Sequence, residues 1–287
     1  MVKVTDRVQA STGLPVIICD YSPPRSGLLS DVSPPPTGAD FLLVNANPGR
    51  SVRADSAMLA AVLKQQTGQE VIFALLTRDM NRLALQSHLL GAQLLGLENV
   101  VVAGGDRFHQ NEPSAVSAVA DFRPTELIAS VTGMNQGRDF RGRNLASPTN
   151  FCVGATVDLA RDSATECKLA ARKVASGAEF FITQPLFSVH SKERFEGSYL
   201  KTTGDGCPVP IFWGLQLLEK GSVSFAPVPA RFQSELESGR SGVDIALEVF
   251  HKLHGSGVSH VYLLPPIRPG GQRNYEVAQE FVEAIGK

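Results

Sequence analysis

"VIFALLTRDMNRLALQSHLLGAQLLGLENVVVAGGD", residues 71–106, holds one complete structural unit. Its ends are short runs, VIFALL (71–76) and NVVVAG (99–104), that are apolar at nearly every position rather than at every second one. A strand reads this way when both of its faces are covered, as in a parallel sheet. Between them, residues 82–95 place apolar side chains three and four positions apart and stop before Gly96, as an amphipathic helix closed by glycine does. Strand, helix, strand in that order predicts a parallel crossover.

The same unit recurs along the chain. Further apolar runs are PVIIC (15–19), FLLVN (41–45), FCVGA (151–155), EFFIT (179–183), PIFWG (210–214) and HVYLL (260–264). Helical spacing also marks residues 51–66, 164–176, 243–254 and 275–285, and is weakest between 190 and 236. Eight strands alternating with helices, without a low-complexity linker or an internal repeat, predict a single (β/α)8 TIM barrel, one domain over residues 1–287. A doubly wound open sheet is the alternative.

Barrel enzymes gather their chemistry at the C-terminal ends of strands. That rule selects Asp20, Asn45, Thr77 to Asp79, Asp106, Thr156 and Gln184, one polar group or cluster after each of the first six strands. Each such residue also suits the opening of a loop or a helix cap.

Composition removes several function classes. The chain has 27 basic and 28 acidic residues, a formal charge of −1 and no basic stripe, so nucleic acid is not an expected partner. The N-terminal residues lack a signal-peptide core and no apolar run approaches a membrane span, which predicts a soluble cytoplasmic protein. Cys19, Cys152, Cys167 and Cys207 stand singly, with no CxxC, so neither a zinc site nor a disulfide framework is expected. Neither GxGxxG in a strand-to-helix turn nor GxxxxGK[ST] occurs.

Four segments carry a family resemblance: DYSPPR (20–25), LTRDMNRLALQSHLLGAQLLGLENVVVAGGD (76–106), MNQGRDFRGRNLASPTNFCVGA (134–155) and RKVASGAEFFITQPLF (172–187). In order and spacing they resemble the methylenetetrahydrofolate reductases, flavin-dependent (β/α)8 barrels. The second and third are most similar to the reductase module fused to homocysteine methyltransferases in some bacteria. The resemblance implies reduction of 5,10-methylenetetrahydrofolate to 5-methyltetrahydrofolate by NADH or NADPH through FAD, in one-carbon metabolism and methionine biosynthesis. A folate is the implied small-molecule partner, and a homo-oligomer is left open.

Residue by residue, the resemblance puts Asp20 where the family has a Glu acting as general acid. Opening the five-membered ring of the substrate requires a proton on the departing nitrogen, and Asp brings it on a chain one methylene shorter. Asp106 is implied beside flavin and pterin, Gln184 against the pterin and Phe187 against the substrate. The implied cofactor contacts are Asn45, Ala46, Thr77, Gly105, Asp106, Thr156, Glu166 and Lys173. Several positions depart from the family: Asn45 replaces a usual Thr, Gly104 a frequent Arg and Ala74 a common His. Those departures leave open a flavin-independent reductase and a noncatalytic barrel that binds folate or a partner protein. The arginines of GRDFRGRN (137–144) could meet a pyrophosphate or a folate tail, but a plain solvated loop is favoured.

Overall fold

The structure is a computed structural model that describes residues 2–108 and 116–286. Its strands are β1 (Val16–Tyr21), β2 (Phe41–Val44), β3 (Glu70–Leu76), β4 (Asn99–Ala103), β5 (Cys152–Val157), β6 (Phe180–Pro185), β7 (Ile211–Gln216) and β8 (His260–Leu264). Each pairs in parallel with the next, and β8 returns to β1 with His260 opposite Val16, closing the barrel. The expected TIM barrel is present, and every strand lies within two residues of its apolar run.

The helices are α1 (Val4–Gln9), α2 (Ser56–Thr67), α3 (Arg82–Leu94), α4 (Pro124–Asn135), α5 (Ser163–Ala175), α6 (Val189–Thr203), α7 (Ala230–Glu237), α8 (Gly242–Gly255) and α9 (Tyr275–Ala284). Helix α2 begins five residues later than its spacing predicts, because Asp55 accepts hydrogen bonds from the Ala57 and Met58 amides and fixes the start at Ser56. The apolar spacing does not announce α1, α4, α6 or α7. Helix α6 buries only Lys192, Phe195 and Tyr199, too thin an apolar stripe to stand out. Among the described residues no helix is long and apolar enough to cross a membrane.

Alternation along the strands separates two cores. Ile18, Leu43, Ala74, Val101, Ile182 and Tyr262 belong to the cluster that fills the barrel interior. Their neighbours Ile17, Leu42, Phe73, Val100, Phe181 and Val261 join the larger cluster beneath the helices. Gly154 belongs to the interior layer for a steric reason: a Cβ there would enter the ring of Phe180, which packs edge-on against Phe212 with centroids 5.9 Å apart. Gly154→Ala is therefore expected to cost about 1–3 kcal/mol through overpacking. Urea denaturation checks this, and an unchanged midpoint would show that the ring moves freely aside.

The N-terminal end of the barrel is plugged. Val4 of α1 is fully buried in the interior cluster, its amide donates to Asn99 Oδ1 at 3.0 Å, and Asn99 Nδ2 donates to the Val2 carbonyl at 3.0 Å. Ligand access is left to the opposite mouth.

Candidate functional site

Two residues beyond the interior positions Ile18, Leu43, Gly154, Ile182 and Gly214, the same alternation delivers Asp20, Asn45, Thr156, Gln184 and Gln216. The barrel interior thus ends in a polar layer at the C-terminal mouth, where such barrels place their chemistry. Sequence reasoning found the first four of these and missed Gln216. Its signal was present, two residues past Gly214 in an otherwise apolar strand.

Gln184 is aimed by an irregularity. The β6–β7 register shifts between Ile182 and Pro185, and Gly214 lets the Gln184 backbone pass where a Cβ would otherwise lie. Such a bulge redirects a strand's side chains. The Gln184 side chain is exposed, with both amide functions open to a heterocycle edge. Phe187, beyond it, is half-buried and packs at 6.1 Å from Phe232 of α7.

Asp20 lies deeper, with 1 % relative exposure. Its Oδ1 accepts from Asn45 Nδ2 at 2.5 Å and from the Tyr262 hydroxyl at 2.6 Å, and its Oδ2 accepts from Arg273 Nε at 2.6 Å. Burial works against the Arg273 charge, but the attraction of Asp20 and its hydrogen bond outweigh that penalty and raise the guanidinium above its ordinary value. Burial, then the Asp20 charge, pushes the Tyr262 phenol well up, so it remains a neutral donor. Neither Tyr262 nor Arg273 was singled out from sequence.

A second chain of contacts runs across the mouths of β2, β3 and β4. Asn47, held at φ 42°, donates to Asp79 at 3.3 Å, while Arg78 clasps Asp79 and donates from Nη1 to the Asp106 carbonyl at 2.9 Å. The Asp106 side chain is exposed, Thr77 is buried, and Gly105 sits at φ 80° pressed against Arg78. Half-buried Ala46 continues the β2 loop. This part of the mouth fits the ring end of a flavin or a pterin: Asp106 offers a carboxylate to ring N–H donors, and the backbone beside it is glycine, without side chains of its own.

The expected contacts to the rest of a dinucleotide fare differently. Glu166 and Lys173 of α5 are 2 % and 4 % exposed. Glu166 accepts from the Asp158 amide at 3.1 Å and Arg161 at 3.0 Å, and Lys173 Nζ donates to the Thr156 carbonyl at 2.5 Å while lying 3.7 Å from Glu166. Burial lowers the Lys173 ammonium, with Glu166 opposing. As placed, this pair braces the end of β5, and the half-buried Thr156 contributes its carbonyl to that brace.

The β7–β8 side of the mouth is capped. Gln216 Nε2 donates to the Val223 carbonyl at 2.8 Å and its Oε1 accepts from Ser224 Oγ at 2.8 Å, fastening the loop after β7. The arginine-rich segment 137–144 lies elsewhere, on the helical ring, where the Phe140 amide donates to Gln86 of α3 and the Asp139 carboxylate accepts from the Arg141 and Arg143 amides.

A parallel eight-stranded barrel with a polar layer at its C-terminal mouth defines the class of protein. Within it, residues 29–265 match the family model for methylenetetrahydrofolate reductase, and the chain belongs to that family. Both members of the Asp20–Arg273 pair fall outside the matched residues. No curated protein matches the sequence. Among solved structures, the chain is similar to an uncharacterized protein from Clostridium thermocellum described as binding two copies of 5-methyl-5,6,7,8-tetrahydrofolic acid, with 13 % identity, a TM-score of 0.64 and 95 % of each chain covered. At that identity the likeness shows the fold.

Proposed function

We infer that the barrel mouth binds 5,10-methylenetetrahydrofolate and reduces it to 5-methyltetrahydrofolate, with NADH or NADPH as the hydride source. The observation that carries this reading is a buried carboxylate, Asp20, set in the polar layer at the mouth of a barrel of this family. The folate-binding description of the Clostridium thermocellum neighbour supports the ligand class.

The roles rest on chemistry. Asp20 supplies the proton that the departing ring nitrogen needs. In the arrangement described, both of its oxygens accept hydrogen bonds, so donation requires a partner to move. Gln184 offers donor and acceptor to one pterin edge, and Asp106 accepts from ring N–H and amino donors. Phe187 adds apolar surface beside them. FAD, when bound at the β2–β4 mouth, supplies a two-electron carrier between nicotinamide and folate. A second reading, reduction without flavin, is favoured by the withdrawal of Glu166 and Lys173 into the β5 brace.

Equilibrium titration separates the two. With flavin as cofactor, FAD binds saturably and Asp106→Ala weakens it by about tenfold or more, the loss of one charge-assisted hydrogen bond. Turnover without any flavin binding would establish the second reading.

A further inference from the structure

Arg273 reaches Asp20 from a hairpin, and only 2 % of its side chain is exposed. Residues 265–274 fold back on themselves, with the Arg268 amide donating to the Gln272 carbonyl at 2.9 Å and Gly270 and Gly271 at φ 86° and 84°. Ile267 bridges Val223 on one side and Arg273 on the other. Half-buried Arg53 ties this hairpin to the β1 loop by donating to the Pro23 carbonyl at 3.1 Å and the Gly270 carbonyl at 3.0 Å. The guanidinium of Arg273 lies 5.9 Å from the ring of Phe225, itself exposed in the loop after β7.

Charge at Asp20 rests on this one residue. The other titratable groups facing it are Tyr262 from β8, Tyr275 from α9 and its neighbour Cys19, and burial pushes the ionisation of all three well up, leaving them neutral. Asn45 from β2 carries no charge. Among the described residues, Arg273 is the one cation hydrogen-bonded to Asp20. A carboxyl group can donate only if one oxygen carries the proton toward an acceptor. Arg273 on Oδ2 and Asn45 Nδ2 on Oδ1 are donors alone, so both oxygens are committed to accepting.

We propose that Arg273 is a latch on Asp20: seated, it keeps the carboxylate from serving as an acid, and folate binding at the mouth requires the hairpin to withdraw it. The proposal rests on the reading of Asp20 as proton donor and of the mouth as the folate site. Arg273 is thus a positioning residue acting through Asp20. Withdrawal clears space beside Asp20 and frees its Oδ2 from the donor that occupies it, so that oxygen can carry a proton toward an acceptor. A latched majority also lowers the apparent folate affinity in proportion to the open fraction.

The test compares Arg273→Gln, Arg273→Lys and Arg53→Ala with the unaltered chain. Binding is read by calorimetric titration with 5-methyltetrahydrofolate, and turnover on 5,10-methylenetetrahydrofolate is read from about pH 5 to 10. Removal of the latch in Arg273→Gln is expected to tighten folate binding by about fivefold or more and to change the shape of the pH profile of turnover, as a residue acting through Asp20 does. Arg273→Lys, which restores a cation, is expected to return the profile toward that of the unaltered chain. A residue that merely braces the fold would give weaker binding and lower turnover equally at every pH, and that result overturns the latch. Arg53→Ala leaves the pair itself untouched and unties the hairpin from the β1 loop, so it carries the test even if Arg273→Gln does not fold. Tighter binding there supports the latch and unchanged binding contradicts it. The underlying reading fails separately: if Asp20→Asn turns over at the unaltered rate, Asp20 is not the donor.

Discussion

Asp20→Asn is expected to slow formation of 5-methyltetrahydrofolate by about 10²- to 10⁴-fold, the usual contribution of a positioned general acid. The substitution keeps size and polarity while removing the carboxylic proton. Asn keeps one acceptor oxygen, which can serve the Tyr262 side or Arg273 but not both, so Arg273 loses its counter-charge and one donor its partner. The missing proton is read in the chemical step, separately from any loss of stability. Rapid-quench measurement of product in a single turnover gives the step directly, and calorimetry with 5-methyltetrahydrofolate gives the binding. An unchanged single-turnover rate would reduce Asp20 to the counter-ion that seats Arg273.

Lys173→Met is expected to destabilise the barrel by about 3–5 kcal/mol, because it leaves the buried Glu166 carboxylate without its buried cation. The lower end applies if Arg161, whose side chain is 47 % exposed, keeps its bond to Glu166. The substitution also removes the donor on the Thr156 carbonyl at the end of β5. Adding Glu166→Gln should recover much of the loss, since the double change no longer buries a lone charge. Denaturant unfolding of the single and double variants reads this coupling. Flavin affinity of the folded Lys173→Met protein should stay within a few-fold of the unaltered chain. A drop beyond about tenfold would return Lys173 to the cofactor contacts that its family position implies.

The barrel was legible in the sequence because its strands are buried on both faces. Continuous runs such as NVVVAG and HVYLL announce parallel strands, and the count of eight implies closure. Asp20, Asn45, Thr156 and Gln184 then stand out as the polar residues at the C-terminal ends of those runs. Helix α4 is not announced by its apolar spacing, although Pro124 opens it and the Glu126 side chain accepts from the Arg123 amide, a start signal readable in RPTE. Glu166 and Lys173 show the limit of spacing: seven residues put them on one helical face without saying that the face turns inward onto β5. Tyr262 and Arg273 lie 242 and 253 residues from Asp20 along the chain, and only closure of the barrel and the fold of the hairpin bring them there. No local pattern encodes that meeting.

What we propose for this mouth is a reduction and not the mere holding of a folate. The most direct measurement is incubation of the purified chain with 5,10-methylenetetrahydrofolate and NADH or NADPH, with and without added FAD, and chromatographic quantitation of the 5-methyltetrahydrofolate formed. One 5-methyltetrahydrofolate is expected for each nicotinamide oxidised, with that product lost in Asp20→Asn. Saturable folate binding with no 5-methyltetrahydrofolate formed under any of these conditions would contradict the proposed reduction and leave a barrel that binds folate without turning it over.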